Sequence, residues 1–139
     1  MKAKNEGHAL TNAGEDYLEA IYCLILEHPG DDSVRSVDVS ERLDVTKASV
    51  NKALSSLKDG GFVDQTHYGR VKLTEAGRGY AAEVWRRHRM LRTFLTVELG
   101  VDEEVADEEA CLMEHALSAD TSRRLLEYLE RQGVTIDKE

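Results

Sequence analysis

One stretch constrains this chain more than any other: between Asp59 and Thr74 the apolar pattern switches from helical spacing to strand alternation and back. Upstream, Val50, Ala53, Leu54 and Leu57 form one helical stripe. Asp59-Gly60-Gly61 ends it, because glycine readily takes the left-handed turn that closes a helix. Phe62 to Thr66 then reads as a strand, His67-Tyr68-Gly69-Arg70 as a turn and Val71 to Leu73 as the returning strand. Thr46 is placed to cap the helix before this hairpin and Thr74 the helix after it. A short hairpin preceded by two short helices and a tight turn is the arrangement of a winged helix-turn-helix.

The remainder reads as helix. Tyr17, Leu18, Ile21, Tyr22 and Ile25 predict a helix from about Ala13 to Glu27. His28-Pro29-Gly30 stops it, since proline disfavours helical backbone in the residue before it. Ser36 is the candidate N-cap of a short helix ending near Leu43. From Thr74 a long helix runs through Tyr80, Val84, Trp85, Met90, Leu91, Phe94 and Leu95 to Gly100, and two more follow, about Asp102 to Leu117 and Asp120 to Gln132. The expected fold class is mostly α, with an N-terminal helix and winged helix-turn-helix DNA-binding domain over residues 1–73. A linking helix and a helical domain occupy residues 74–139.

Net charge of −9 is unusual for a chain meant to meet DNA. The charge is unevenly spread. Ser33 to Met90 carries eleven Lys/Arg against seven Asp/Glu, a balance of +4, and the remaining residues carry seven against twenty, a balance of −13. Phosphate contact depends on the local basic face, and this one coincides with the helix-helix-hairpin segment. The helix from Thr46 to Lys58 is the candidate for the major groove, offering Thr46, Lys47, Ser49, Asn51 and Lys52. His67, Tyr68, Arg70 and Lys72 of the hairpin, with Arg35 and Arg42, are candidate backbone contacts. The longest apolar run, Ala20 to Leu26, is too short to span a bilayer, and Met1 to Asn12 has no apolar signal segment. The expected compartment is the cytoplasm, where Cys23 and Cys111 have little reason to pair.

A second constellation lies outside the basic segment. Asp16 and Glu19, at i and i+3, project from one helix face, as do Cys111, Glu114 and His115 at i, i+3 and i+4. His88 sits on the long helix. Carboxylate, imidazole and thiolate are the usual protein ligands of divalent transition metals. Each group taken singly has an ordinary explanation, such as an acidic helix start that complements the helix dipole. Their co-occurrence is what points to a metal.

With those residues in view, the chain resembles the diphtheria toxin repressor family of iron- and manganese-dependent repressors, and in length its manganese transport regulator branch. The stretches that carry the resemblance are Glu15-Asp16-Tyr17-Leu18-Glu19-Ala20-Ile21-Tyr22, Ser40-Glu41-Arg42-Leu43, Leu73-Thr74-Glu75-Ala76-Gly77 and His88-Arg89-Met90-Leu91. The most specific is Asp107-Glu108-Glu109-Ala110-Cys111-Leu112-Met113-Glu114-His115. The resemblance covers about Asn12 to Arg131. It implies a homodimeric repressor of palindromic double-stranded DNA, with a helical metal-binding and dimerisation domain and no membrane partner. It places Asp16, Glu19, His88, Cys111, Glu114 and His115 at the metal positions. Asp16 and Glu19 resemble manganese-type members and Cys111 iron-type ones, while Arg92 and Asp107 replace the glutamate and histidine of an ancillary site in iron-type members. Three carboxylates against one thiolate favour Mn²⁺ slightly over Fe²⁺. The SH3-like domain of longer members is expected to be missing, since the chain ends at Glu139.

Two alternatives stay open at this level. One is a winged-helix regulator that answers to a small ligand or to thiol oxidation at Cys111. The other is a helical di-metal enzyme, which is disfavoured because such centres use Glu-x-x-His pairs on two helices and this chain has adjacent Glu114-His115. No phosphate loop or nucleophile-base arrangement suggests other catalysis, so the expectation is a regulator and not an enzyme.

Overall fold

The computed structural model describes residues 10–66 and 69–136. They divide into two compact units, one of Asn12–Glu83 and one that includes Val84 onward.

In the first unit, α1 (Asn12–Glu27) is followed by a two-residue strand, β1 (Ser33–Val34), then α2 (Ser36–Leu43), α3 (Lys47–Asp59), β2 (Val63–Gln65) and β3 (Val71–Leu73). α3 begins as the sequence predicts, with Thr46 in an extended conformation and its hydroxyl accepting from the Ser49 N–H at 3.1 Å. Of the two glycines after it, Gly61 takes the left-handed backbone, at φ +83°. Ser36 is not an N-cap. Arg35 holds that position with extended backbone and no side-chain cap, and Ser36 is the first helical residue. The strand β1 was not predicted: two residues are too few to show alternation. It pairs antiparallel with β3, Val34 opposite Val71, and makes the hairpin the larger part of a sheet ordered β1-β3-β2. Val34, Val63, Val71 and Leu73 point into the core with Leu18, Ile21, Val39, Val50, Leu54 and Leu57. Together these are a winged helix-turn-helix.

The start of α4 (Glu75–Thr93) is fastened to this unit by three devices. Thr74 Oγ1 accepts from the Gly77 N–H at 3.0 Å and donates to the Gly61 carbonyl at 2.7 Å. The Tyr80 hydroxyl donates to the fully buried carboxylate of Glu15 on α1 at 2.6 Å, and its ring meets Phe62 edge-on. Gly77 lies so close to the Phe62 carbonyl that a Cβ there would overlap its oxygen.

In the second unit, α4 widens into a π-helical turn, Phe94–Glu98, and ends before Gly100 at φ +71°. α5 (Glu103–Met113), capped by Asp102, and α6 (Ala119–Arg131), capped by Ser118, complete the chain's elements. α6 is tied to the π turn by Tyr128, which donates to Glu98 at 2.8 Å and packs edge-on against Phe94. α5 is shorter than the sequence predicts: it stops at Met113, with Glu114 as its C-cap and His115 in the turn beyond.

Because Gly77 cannot carry a Cβ without moving the Phe62 backbone, Gly77→Ala should destabilise the protein by about 2–4 kcal/mol. Thermal denaturation should show this as a fall in Tm of about 10 °C or more; an unchanged Tm would show that this approach does not constrain the fold.

Candidate metal centre and nucleic-acid interface

The densest polar chemistry of the second unit surrounds Glu114, whose side chain is fully buried. One of its oxygens, Oε1, lies 2.8 Å from His88 Nδ1, and the other, Oε2, lies 3.9 Å from His115 Nε2. Both imidazoles are themselves buried, each at 5% exposure. Local structure explains the grouping. His88 is on the inward face of α4, and the end of α5 delivers Glu114 while its backbone is still helical, at φ −59° and ψ −28°. The helical sequence spacing of Cys111, Glu114 and His115 thus survives the early end of the helix. Arg87, also buried, donates its Nε–H to the Glu114 carbonyl at 2.9 Å and pins that turn to α4. Cys111, one turn earlier, is in no disulfide and lies at intermediate exposure.

Sequence reasoning missed the second partner of His88. Its Nε2 lies 2.8 Å from Asp107 Oδ1, and Arg92 reaches the same oxygen at 3.4 Å. The Trp85 ring stacks on the imidazole, with centroids 5.3 Å apart and planes 8° from parallel. A signal for Asp107 was present: positions 107, 111 and 114 fall on one helical face, four and three residues apart. A carboxylate on the outer nitrogen of a histidine fixes its tautomer and ring orientation, the arrangement common behind metal-binding imidazoles. Arg92 and Asp107 form an ion pair with each other.

In the first unit, Asp16 and Glu19 occupy one face of α1, Asp16 half-buried and Glu19 buried.

The nucleic-acid candidates separate into two groups. Thr46, Lys47, Ser49, Asn51 and Lys52 are all exposed on the first half of α3, while Val50, Leu54 and Leu57 face the core. Thr46 and Ser49 are also linked by their hydroxyls, 3.0 Å apart, as part of the cap. Among the described residues, Lys47 and Lys52 enter no ion pair. The other cations are engaged. Arg35 pairs with Asp38 at 2.9 Å, which holds the Asp38 carboxyl below its ordinary pKa, and Arg42 pairs with Glu27 at 2.8 Å. Arg70 meets Asp31 and Ser33, and Lys72 meets Asp32. His67 and Tyr68, expected at the hairpin tip, lie outside the described residues.

Comparison with known proteins places this geometry. Residues 9–71 match the family described as iron dependent repressor, N-terminal DNA binding domain. Residues 74–134 match iron dependent repressor, metal binding and dimerisation domain. The transcriptional regulator MntR of Salmonella typhimurium is 35% identical over 123 residues, covering 88% of this chain and 76% of that protein. The iron-dependent repressor IdeR of Mycobacterium tuberculosis is 34% identical over 120 residues, covering 86% of this chain and 51% of that protein. Among solved structures, a manganese-dependent transcriptional repressor in complex with manganese is similar at a TM-score of 0.75 and 33% identity, over 84% of this chain and 52% of that one. The IdeR of T. acidophilum is similar at 0.74 and 29% identity, over 93% and 57%. The chain spans about half the length of these two solved relatives. With one half matching the family's DNA-binding domain and the other its metal-binding and dimerisation domain, the chain belongs to the iron-dependent repressor family of transcriptional regulators.

Proposed function

We propose that this protein is a metal-dependent transcriptional repressor, a homodimer that binds a palindromic operator when Mn²⁺, or Fe²⁺, is bound. The observation that carries the reading is Glu114, a fully buried carboxylate that presents one oxygen to each of two buried imidazoles. The donor set fits a divalent transition metal, combining carboxylate, imidazole and one thiolate. His88, Cys111, Glu114 and His115 of the second unit, with Asp16 and Glu19 of the first, would hold it. Bound there, the cation would supply two positive charges that neutralise carboxylates otherwise repelling one another. Three carboxylates favour Mn²⁺, and the Cys111 thiolate draws the preference toward Fe²⁺.

Donors drawn from both units would couple metal binding to the placement of the DNA-reading helix. In a dimer, two α3 helices held about 34 Å apart can enter successive major grooves. A protein that adopts this spacing only part of the time binds with its affinity reduced by the competent fraction. Couplings of this kind are commonly about 1–3 kcal/mol. The base-reading candidates are Thr46, Lys47, Ser49, Asn51 and Lys52, with Arg35, Tyr68 and Arg70 at the phosphate backbone. Dimerisation fits the second unit's surface, where the apolar side chains of Val97, Leu99 and Leu112 are 60%, 60% and 76% exposed. Acting on an operator places the protein in the cytoplasm. Among the described residues, no helix is long and apolar enough to cross a membrane.

His115→Ala and Glu114→Gln should each abolish Mn²⁺-dependent binding to a promoter duplex, read by fluorescence anisotropy, while sedimentation still shows a dimer. Variants that respond to Mn²⁺ as the unsubstituted protein does would contradict the assignment. Asp107→Asn should weaken Mn²⁺ binding by about tenfold in calorimetric titration, with recovery in Asp107→Glu, because the outer carboxylate orients His88. Equal affinities in all three would leave Asp107 without that role. Cys111→Glu should shift preference further toward Mn²⁺ over Fe²⁺ under anaerobic competition, and an unchanged ranking would refute the softness argument.

A further inference from the structure

The hairpin's cations are already engaged by carboxylates of the chain itself, and the two acids responsible are consecutive. Asp31 and Asp32 lie just before β1. Arg70 Nη2 lies 3.0 Å from Asp31 Oδ2, while Arg70 Nε donates to Ser33 Oγ at 2.7 Å and Nη2 to the Ser33 carbonyl at 3.1 Å. Lys72 Nζ lies 3.6 Å from Asp32 Oδ1. The sheet enforces this meeting, since Ser33 stands opposite Lys72 in the β1–β3 register, and Asp64 stands opposite Lys72 on its other side. Asp31 is itself fixed in place: its Oδ1 accepts from the Ser33 N–H and from the Ser33 hydroxyl, each at 3.0 Å. Those two hydrogen bonds, with Arg70 behind them, hold its carboxyl below the ordinary pKa, so it stays charged.

The contrast with α3 gives the arrangement its meaning. Lys47 and Lys52 on the candidate recognition helix are exposed and enter no ion pair among the described residues. On the hairpin, Arg70 and Lys72 are held by acids that are themselves more than half exposed, at 54% for Asp31 and 63% for Asp32. Exposed pairs are weak and exchange readily with another anion. Carboxylates at this place also repel an approaching phosphate backbone whatever its sequence.

We propose that Asp31 and Asp32 act as a specificity gate on the DNA interface, competing with phosphate for Arg70 and Lys72. The hairpin then gives up its internal partners only on a duplex that α3 also fits. The inference rests on the reading that the first unit binds DNA through α3 and the hairpin. The gate lowers affinity for arbitrary duplex more than for a well-matched one, because phosphate contacts supply essentially all of non-specific binding and only part of specific binding.

The test uses the full chain with saturating Mn²⁺ and two 30-base-pair probes, one of random sequence and one selected from a random library by the unsubstituted protein. Asp31→Asn/Asp32→Asn should bind the random probe about tenfold more tightly at 100 mM salt and the selected probe only about twofold more tightly. Its affinity for the random probe should also fall more steeply with salt, by about one to two in the log–log slope. Asparagine at position 31 keeps an oxygen for the Ser33 N–H, and Asp32→Asn alone, which leaves the Asp31 contacts untouched, should give about a threefold gain on the random probe. Glu103→Gln/Glu104→Gln changes net charge equally on α5 and should leave both affinities within twofold. Equal gains on the two probes, no gain, or the same gain in the α5 variant would overturn the gate. If the unsubstituted protein enriched no sequence from the library and did not bind the random probe, the DNA-binding reading itself would fall.

Discussion

A carboxylate with no exposure to water has to be met by a cation or a proton donor, and in the second unit that requirement falls on Glu114. An uncompensated charge in such a setting costs several kcal/mol. Much of the local structure is arranged around it. Arg87 anchors the Glu114 backbone, His88 meets one carboxylate oxygen, and the early end of α5 lets His115 turn back toward the other. Asp107 then holds the far side of His88, and Arg92 balances Asp107. The metal centre proposed for these donors would rest on this imidazole-carboxylate frame, with Asp107 as the outer partner that orients His88.

The first unit is built on a different principle. Its polar anchors serve rigidity: the Glu15–Tyr80 hydrogen bond is buried, Thr74 binds backbone on both sides, and Gly77 admits the Phe62 carbonyl. The outer surface carries the chemistry. Lysines and small polar groups occupy the exposed face of α3, and the hairpin's cations are neutralised by local acids. A net charge of −9 is thereby compatible with DNA binding, because phosphate contact depends on the local basic face, and Lys47 and Lys52 are exposed on α3.

How much of this was legible beforehand depended on the range of the interactions. Thr46, Thr74 and the hairpin strands were readable because caps and alternation are local signals. The winged helix-turn-helix followed from their order. β1 is invisible in the sequence because its signature is the pairing of Ser33 and Val34 with Lys72 and Val71, far along the chain. Ser36 looked like a cap by residue type, yet Arg35 takes the position with no side-chain bond, so backbone geometry alone starts that helix. In the second unit, the spacing of Cys111, Glu114 and His115 puts candidate donors on one face, but the contact of Asp107 with His88 spans nineteen residues and depends on how α5 packs on α4. Arg70 was read as a phosphate contact from its turn, and its engagement by Asp31 crosses thirty-nine residues. Residue types and spacing identify candidates; only the folded chain says which candidates are already occupied by one another.

Glu114 and its two imidazoles are the proposed metal centre. The most direct measurement is anomalous diffraction at the manganese edge from crystals grown with Mn²⁺. The expected result is a peak about 2.0–2.4 Å from a Glu114 carboxylate oxygen and a His115 ring nitrogen, distances typical of such bonds. A peak elsewhere on the chain, with none at Glu114, would refute it.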